Sequence, residues 1–110
     1  MSIYFAVEGG FANQRRSITI AAGGEATVDV NGVVSDAALD GVSRSAIVSE
    51  LEASGLFDRD RTYDAQGADL QRYEIRYAGS TMVAYDTSVP DELVEAIRLL
   101  EEAIRAARTG

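Results

Sequence analysis

The chain contains no cysteine. That excludes a disulfide framework, thiolate metal sites and a cysteine nucleophile. It contains no histidine either, so the commonest general base and the commonest metal ligand are both missing. Any catalytic site would have to be built from carboxylates or tyrosine, and triad or zinc chemistry lacks its usual parts. Positive charge is also scarce: 10 basic residues stand against 18 acidic ones, a formal net charge of −8. A field of that sign repels phosphate backbones and anionic headgroups, so neither nucleic acid nor a membrane surface is an expected partner. Long apolar runs are absent. The first apolar stretch, from Ile3 through Val7, has no basic lead and stops at Glu8, too short for a signal segment or a membrane span. The cytoplasm is the expected location.

What is present suits one folded unit. A length of 110 residues with 46% hydrophobic residues supports a single domain, 1–110, with one modest core. Ile3, Phe5 and Val7 alternate with Tyr4 and Ala6 before Gly9-Gly10 interrupts, which predicts a half-buried strand leading into a loop at 9–14. Alternation resumes over 15–21 through Ile18 and Ile20, Gly23-Gly24 marks a tight turn, and Ala26, Val28 and Val30 continue with period two. Asn31-Gly32 is the strongest hairpin dipeptide, because both residues accept the left-handed geometry of a type I′ turn. A short strand is expected at 33–35. A second hairpin is predicted from Tyr73, Ile75 and Tyr77, alternating with Arg72, Glu74 and Arg76, through Ala78-Gly79-Ser80 into 81–86.

Two helices complete the pattern. The first is expected to begin at Ser43 as cap, with Val42 and Ile47 as a hydrophobic staple, Ile47 and Leu51 on its buried face and Gly55 as a left-handed stop. The second has Ser88 as expected cap, Pro90-Asp91-Glu92 in its first turn and Leu93, Ile97, Leu100 and Ile104 on one stripe, ending near Ala107. Its acids fall toward the start and Arg105 and Arg108 toward the end, as the helix dipole favours. Between the helices, 58–69 is polar and aperiodic and reads as a loop. The expectation is an α+β fold: an antiparallel sheet of about five strands with two helices on one face, in the order β-β-β(-β)-α-β-β-α. Phe5, Ile18, Ile20, Leu51, Ile75, Leu93, Ile97, Leu100 and Ile104 form its predicted core.

Few residues assemble into chemistry. Asp58, Asp60, Asp64 and Asp69 crowd one loop, but the segment lacks the closing Glu of a calcium loop, and Arg59 and Arg61 interrupt it. It reads as a solvated loop, and no metal or other cofactor is implied. Glu92, Glu95, Glu101 and Glu102 are expected on the exposed side of the last helix, without a pocket to tune them. Gly9-Gly10 is followed by a strand with Arg15-Arg16 at its head, unlike a phosphate-binding loop, which opens a helix. Two readings of Phe11 stand open: an exposed contact residue at the loop tip, or a side chain turned in against the sheet edge. Arg15 and Arg16 are likewise open between supporting the fold and contacting a partner.

Gly9-Gly10-Phe11-Ala12 directly after a first strand, with Arg15-Arg16 opening the second, resembles the N-terminal signature of the emfourin family. Gly67-Ala68-Asp69-Leu70 leading into Tyr73-Glu74-Ile75 resembles that family's second loop and strand, and the Gly79 turn, the strand to Asp86 and the Pro90-led helix follow the family order. The resemblance spans nearly the whole chain. Emfourins are small bacterial inhibitors of thermolysin-like zinc metalloproteases, notably cytoplasmic protealysins. The resemblance implies a non-enzymatic inhibitor whose loops 9–14 and 66–71 enter the protease cleft; the sequence leaves the oligomeric state open, with a monomer as the expectation. The matching positions are Gly9, Gly10, Phe11, Ala12, Asn13 and Arg15 in and beside the first loop, and Gly67, Ala68, Asp69 and Leu70 in the second. Phe11 or Leu70 would fill an apolar pocket, and Asp69 would face the catalytic zinc or an arginine of the enzyme. The rival reading, independent of the resemblance, is a generic interaction or self-association module that uses its sheet edge or final helix.

Overall fold

A computed structural model describes residues 1–10 and 13–109, the side chains of 108 and 109 excepted. The period-two stretches become strands. β1 (Ile3–Gly9), β2 (Gln14–Ile20), β3 (Glu25–Val30) and β4 (Val33–Ala38) form an antiparallel meander, followed by α1 (Gly41–Ser54), β5 (Arg61–Tyr63), β6 (Gln71–Tyr77), β7 (Ser80–Tyr85) and α2 (Asp91–Thr109). The spatial order is β4-β3-β2-β1-β6-β7-β5. The meander therefore joins the second hairpin through β1 and β6, which run antiparallel with Tyr4 opposite Arg76 and Gly9 opposite Gln71.

The α+β class stands, but the sheet has seven strands instead of five and is mixed, because β5 runs parallel to β7. β5 lies inside the stretch expected to be a loop. Three residues are too few to show a period, and this strand is held by its neighbours: the Ser88 hydroxyl donates to the Tyr63 carbonyl at 2.6 Å and accepts the Tyr85 N–H at 3.0 Å. Asp60 adds a bond by accepting the Thr81 N–H at 2.8 Å. Ser88 thus ties β5 to β7 instead of capping α2, whose first turn closes with the Leu93 N–H on the Pro90 carbonyl at 3.0 Å.

The α1 cap also differs from expectation. Asp40, not Ser43, is the N-cap; its carboxylate accepts the Ser43 N–H at 2.7 Å, and the helix begins two residues earlier. That hydrogen bond holds the Asp40 carboxyl below its ordinary pKa. Val42 is 83% exposed, so the expected staple does not form. Gly55 stops the helix in the left-handed conformation, as its position predicts.

All nine residues expected in the core are buried, none more than 9% exposed, and they join α1, α2 and one sheet face in a single cluster. On α2, Leu93, Ile97, Leu100 and Ile104 each contribute about 1.5–3 kcal/mol of gross burial. Their sum rivals the net stability of a whole domain, roughly 5–15 kcal/mol. The final helix therefore cannot leave the sheet without unfolding it. No described helix is long and apolar enough to cross a membrane.

Candidate functional site

The two loops singled out in the sequence meet at one end of the sheet. β1 ends at Gly9, directly opposite Gln71 of β6, and one residue further the Gly10 N–H donates to the Leu70 carbonyl at 3.1 Å. The start of loop 9–14, at Gly9 and Gly10, therefore lies beside the end of loop 66–71, at Leu70 and Gln71. The β3–β4 turn is fastened to the same end, since Arg15 and Asn31 exchange two bonds. Asn31 N–H donates to the Arg15 carbonyl at 2.8 Å, and Arg15 N–H donates to Asn31 Oδ1 at 2.9 Å. Asp86, just past β7, donates its N–H to the Gln71 carbonyl at 3.1 Å and accepts the Gln71 N–H at 3.4 Å.

Close approach explains the glycine pair. Gly9 has φ +91°, and a Cβ there would lie 2.9 Å from the Leu70 carbonyl oxygen, a backbone atom that cannot step aside. Gly10 has φ +77°, and its Cβ would meet Gln71 Cγ at 2.9 Å. In the first loop Asn13 is left-handed at φ +49° and its N–H closes a turn on the Gly10 carbonyl at 3.1 Å. In the second, Asp69 is left-handed at φ +59°. Both Asn and Asp tolerate this region better than other residues with a Cβ, so the loop conformations are written into the residue types.

Exposure divides the expected site residues. Asn13, Arg15, Gly67, Ala68 and Asp69 are exposed, whereas Leu70 is half-buried, its side chain lying where a Gly67 Cβ would make ordinary contact at 3.6 Å. Phe11 and Ala12 lie outside the described residues.

Arg15 and Arg16 take different roles. Arg16 turns to the helix layer, where Nε and Nη2 donate to the two carboxylate oxygens of Glu101 at 2.9 and 2.6 Å. The pair corrects the placement of Glu101, whose side chain is only 16% exposed. Strand alternation sends Arg15 to the opposite, open face. Of the other helix acids, Glu95 and Glu102 are exposed and both bind Arg98, and Glu92 is exposed.

The remaining acidic residues do not gather. Asp58 pairs with Arg61 at 2.8 Å, and Asp64 is exposed. Among the described residues no three His, Cys, Asp or Glu side chains converge as a metal site requires.

On the open face Glu74 is buried between two arginines, 3.0 Å from Arg72 and 2.5 Å from Arg76. Arg76 also covers the Tyr4 ring at 4.8 Å from its centroid. Burial alone would raise the Glu74 pKa, but the hydrogen bonds and charges of Arg72 and Arg76 more than offset it and hold the carboxyl below its ordinary value. Sequence reasoning missed Glu74, Gln71 and Asp86. The Arg-x-Glu-x-Arg spacing of Arg72, Glu74 and Arg76 is the signal that would have found the first; the pairing of Gln71 with Asp86 depends on strand register and leaves no local trace.

No protein-family model and no curated protein matches the chain.

Proposed function

We propose that the chain is a proteinaceous inhibitor of a thermolysin-like, protealysin-type zinc metalloprotease, acting through the resemblance to emfourins and through its paired loops. The observation that carries this reading is the union of loops 9–14 and 66–71 through the Gly10 to Leu70 hydrogen bond. Adjacent strands stand about 4.8 Å apart, so the strand ends that carry the two loops are close enough for both to serve one cleft. An inhibitor must bind like a substrate without reacting like one. Loops held by left-handed residues and by a cross-loop hydrogen bond bind with little ordering cost and resist the backbone movement that cleavage needs.

In this reading Phe11 or Leu70 is the pocket-filling anchor, and Phe11→Ala tests the larger of the two. Asp69, exposed in the second loop, presents its carboxylate to the protease zinc or to an active-site arginine. The role is non-enzymatic, and the expected setting is a bacterial cytoplasm.

The test is a titration of a protealysin-type protease with this protein and with Phe11→Ala. Inhibition by the parent, weakened by about 1–2 kcal/mol in the variant at unchanged melting temperature, is the expected outcome. No inhibition at large molar excess would sink the reading. Loss of about 3–5 kcal/mol of folding stability in Phe11→Ala would instead make that residue part of the core.

A further inference from the structure

The two edges of the sheet are unequal. β5, at one edge, is three residues long and flanked by charge, with Arg61 paired to Asp58 and Asp60 bonded to the neighbouring strand. Short, charged edges discourage further strands. β4, at the other edge, is six residues long and has no Lys, Arg or Pro. Val33 and Val34 lead it, 68% and 61% exposed. In a two-residue hairpin the residues flanking the turn exchange their ladder bonds, so Val33, Ser35 and Ala37 bond inward to β3. Val34, Asp36 and Ala38 then point their backbone N–H and C=O groups away from the sheet.

The faces of the β3–β4 ribbon differ in chemistry. On the open face lie Glu25, Asp29 and Asp36, and residues 21–43 contain four acids and no cation. Asp29 is engaged by the Gly32 N–H at 2.9 Å. Glu25 and Asp36 meet no cation among the described residues. On the helix side the ribbon is mostly apolar and only partly covered. One hollow of about 380 Å³ lies at its tip, lined by Val28, Val30 and Val33 with Asn31 and Ser35 at its polar side. Another of about 270 Å³ lies at its base, beside Ala37, Leu39 and Ala103, with Asp36 on its rim.

We infer that β4 accepts an added strand from a protein partner, an extended segment in which basic and apolar residues alternate. Period two delivers one set of side chains to each face of the enlarged sheet: the basic set to Glu25 and Asp36, the apolar set to the two hollows, while the backbone completes the ladder of Val34, Asp36 and Ala38. A second copy fits worse. Two-fold pairing of β4 with β4 keeps both open faces on one side and crowds six carboxylates together without a cation, between molecules of net charge −8. This surface runs along the sheet edge and does not depend on protease inhibition.

The test uses a fluorescein-labelled octapeptide alternating valine and lysine, compared with its valine–glutamate counterpart, by anisotropy at low and high salt and by amide chemical-shift mapping. Expected are saturable binding of the basic peptide with shifts at Val34, Asp36 and Ala38, binding about tenfold weaker in Asp36→Lys, and weakening with salt. Shifts confined to another region, equal binding of the acidic peptide, absence of binding, or unchanged affinity in Asp36→Lys would each overturn the proposal. So would a dimer in sedimentation equilibrium that Val34→Lys dissociates, which would make the occupant a second copy.

Discussion

Replacing each glycine of the loop pair by alanine separates two kinds of constraint. Both positions have positive φ, and the left-handed conformation costs a residue with a Cβ about 1–2 kcal/mol. The stiffer unfolded chain returns about 0.4–1 kcal/mol of that. For Gly10 the bill ends near there, because its new methyl meets the side chain of Gln71, which can rotate away. For Gly9 the methyl meets the Leu70 carbonyl at 2.9 Å. β1 and β6 must part at that end, and the Gly10 to Leu70 hydrogen bond goes with them, a further loss of about 0.5–1.5 kcal/mol. Gly9→Ala should therefore destabilise by about 1.5–3 kcal/mol and Gly10→Ala by about 0.5–1.5 kcal/mol. At about 4 °C per kcal/mol for a chain of this size, the two melting temperatures should differ by several degrees. Urea unfolding with unchanged slope is the assay. Equal losses, or a larger loss at Gly10, would refute the argument that backbone contact between the loops is the limiting constraint.

Arg16→Ala should cost about 1–3 kcal/mol by stranding the largely buried Glu101, whereas Arg15→Ala should stay within about 0.5 kcal/mol; thermal melts of the pair distinguish them. Ala78 occupies a left-handed turn position at φ +56°, followed by Gly79 at φ +82°; Ala78→Asn, which matches the Asn31-Gly32 turn, should stabilise by about 0.5–1 kcal/mol in urea. Glu74 has a lowered folded pKa, so its contribution is present above the ordinary value of 4.5 and is lost as pH falls through the lower folded value. Glu74→Gln should accordingly be less stable at neutral pH and lose less stability on acidification, as read from melting temperature against pH.

Where one residue's neighbours in sequence decide its fate, the structure could be read directly. The α2 stripe, the Gly55 stop and the Asn31-Gly32 turn depend on local spacing and on residues that accept φ > 0, and each lies where its pattern places it. Errors arose where a distant partner decides. The α1 cap is a local exception: Asp40, three residues before the expected Ser43, has the side chain that reaches a free amide. Glu101 follows the polar pattern of α2 yet turns inward because Arg16, 85 residues earlier in the chain, waits on β2. β5 exists only because β7 and Ser88 supply its bonds. The adjacency of the two loops was legible through strand direction, since an antiparallel β1–β6 pair must bring the end of one to the start of the other.

The glycine pair admits two physical reasons. Read alone, Gly9-Gly10 offers a backbone open to close approach by another protein. In the fold the approach is already taken by the chain itself, with the Leu70 carbonyl standing where a side chain would be. The consequence for binding runs through entropy. Fixing one backbone residue costs roughly 1–2 kcal/mol, and loops 9–14 and 66–71 would each add several such terms if they were ordered only on meeting a partner. With Gly10 bonded to Leu70, Asn13 closed on Gly10 and Gln71 bonded to Asp86, much of that ordering is made during folding. In the proposed role, a partner would meet Gly9, Gly10, Asn13 and Gln71 already held in place, and the ordering cost at those positions would not fall on association. The same bonds bind the two loops into one unit, so damage to one propagates to the other. On the proposed inhibitory role, titration of the protease should show inhibition falling together with the loop-to-loop contact in Gly9→Ala, by more than its loss of folding stability alone removes; unchanged inhibition would refute the coupling.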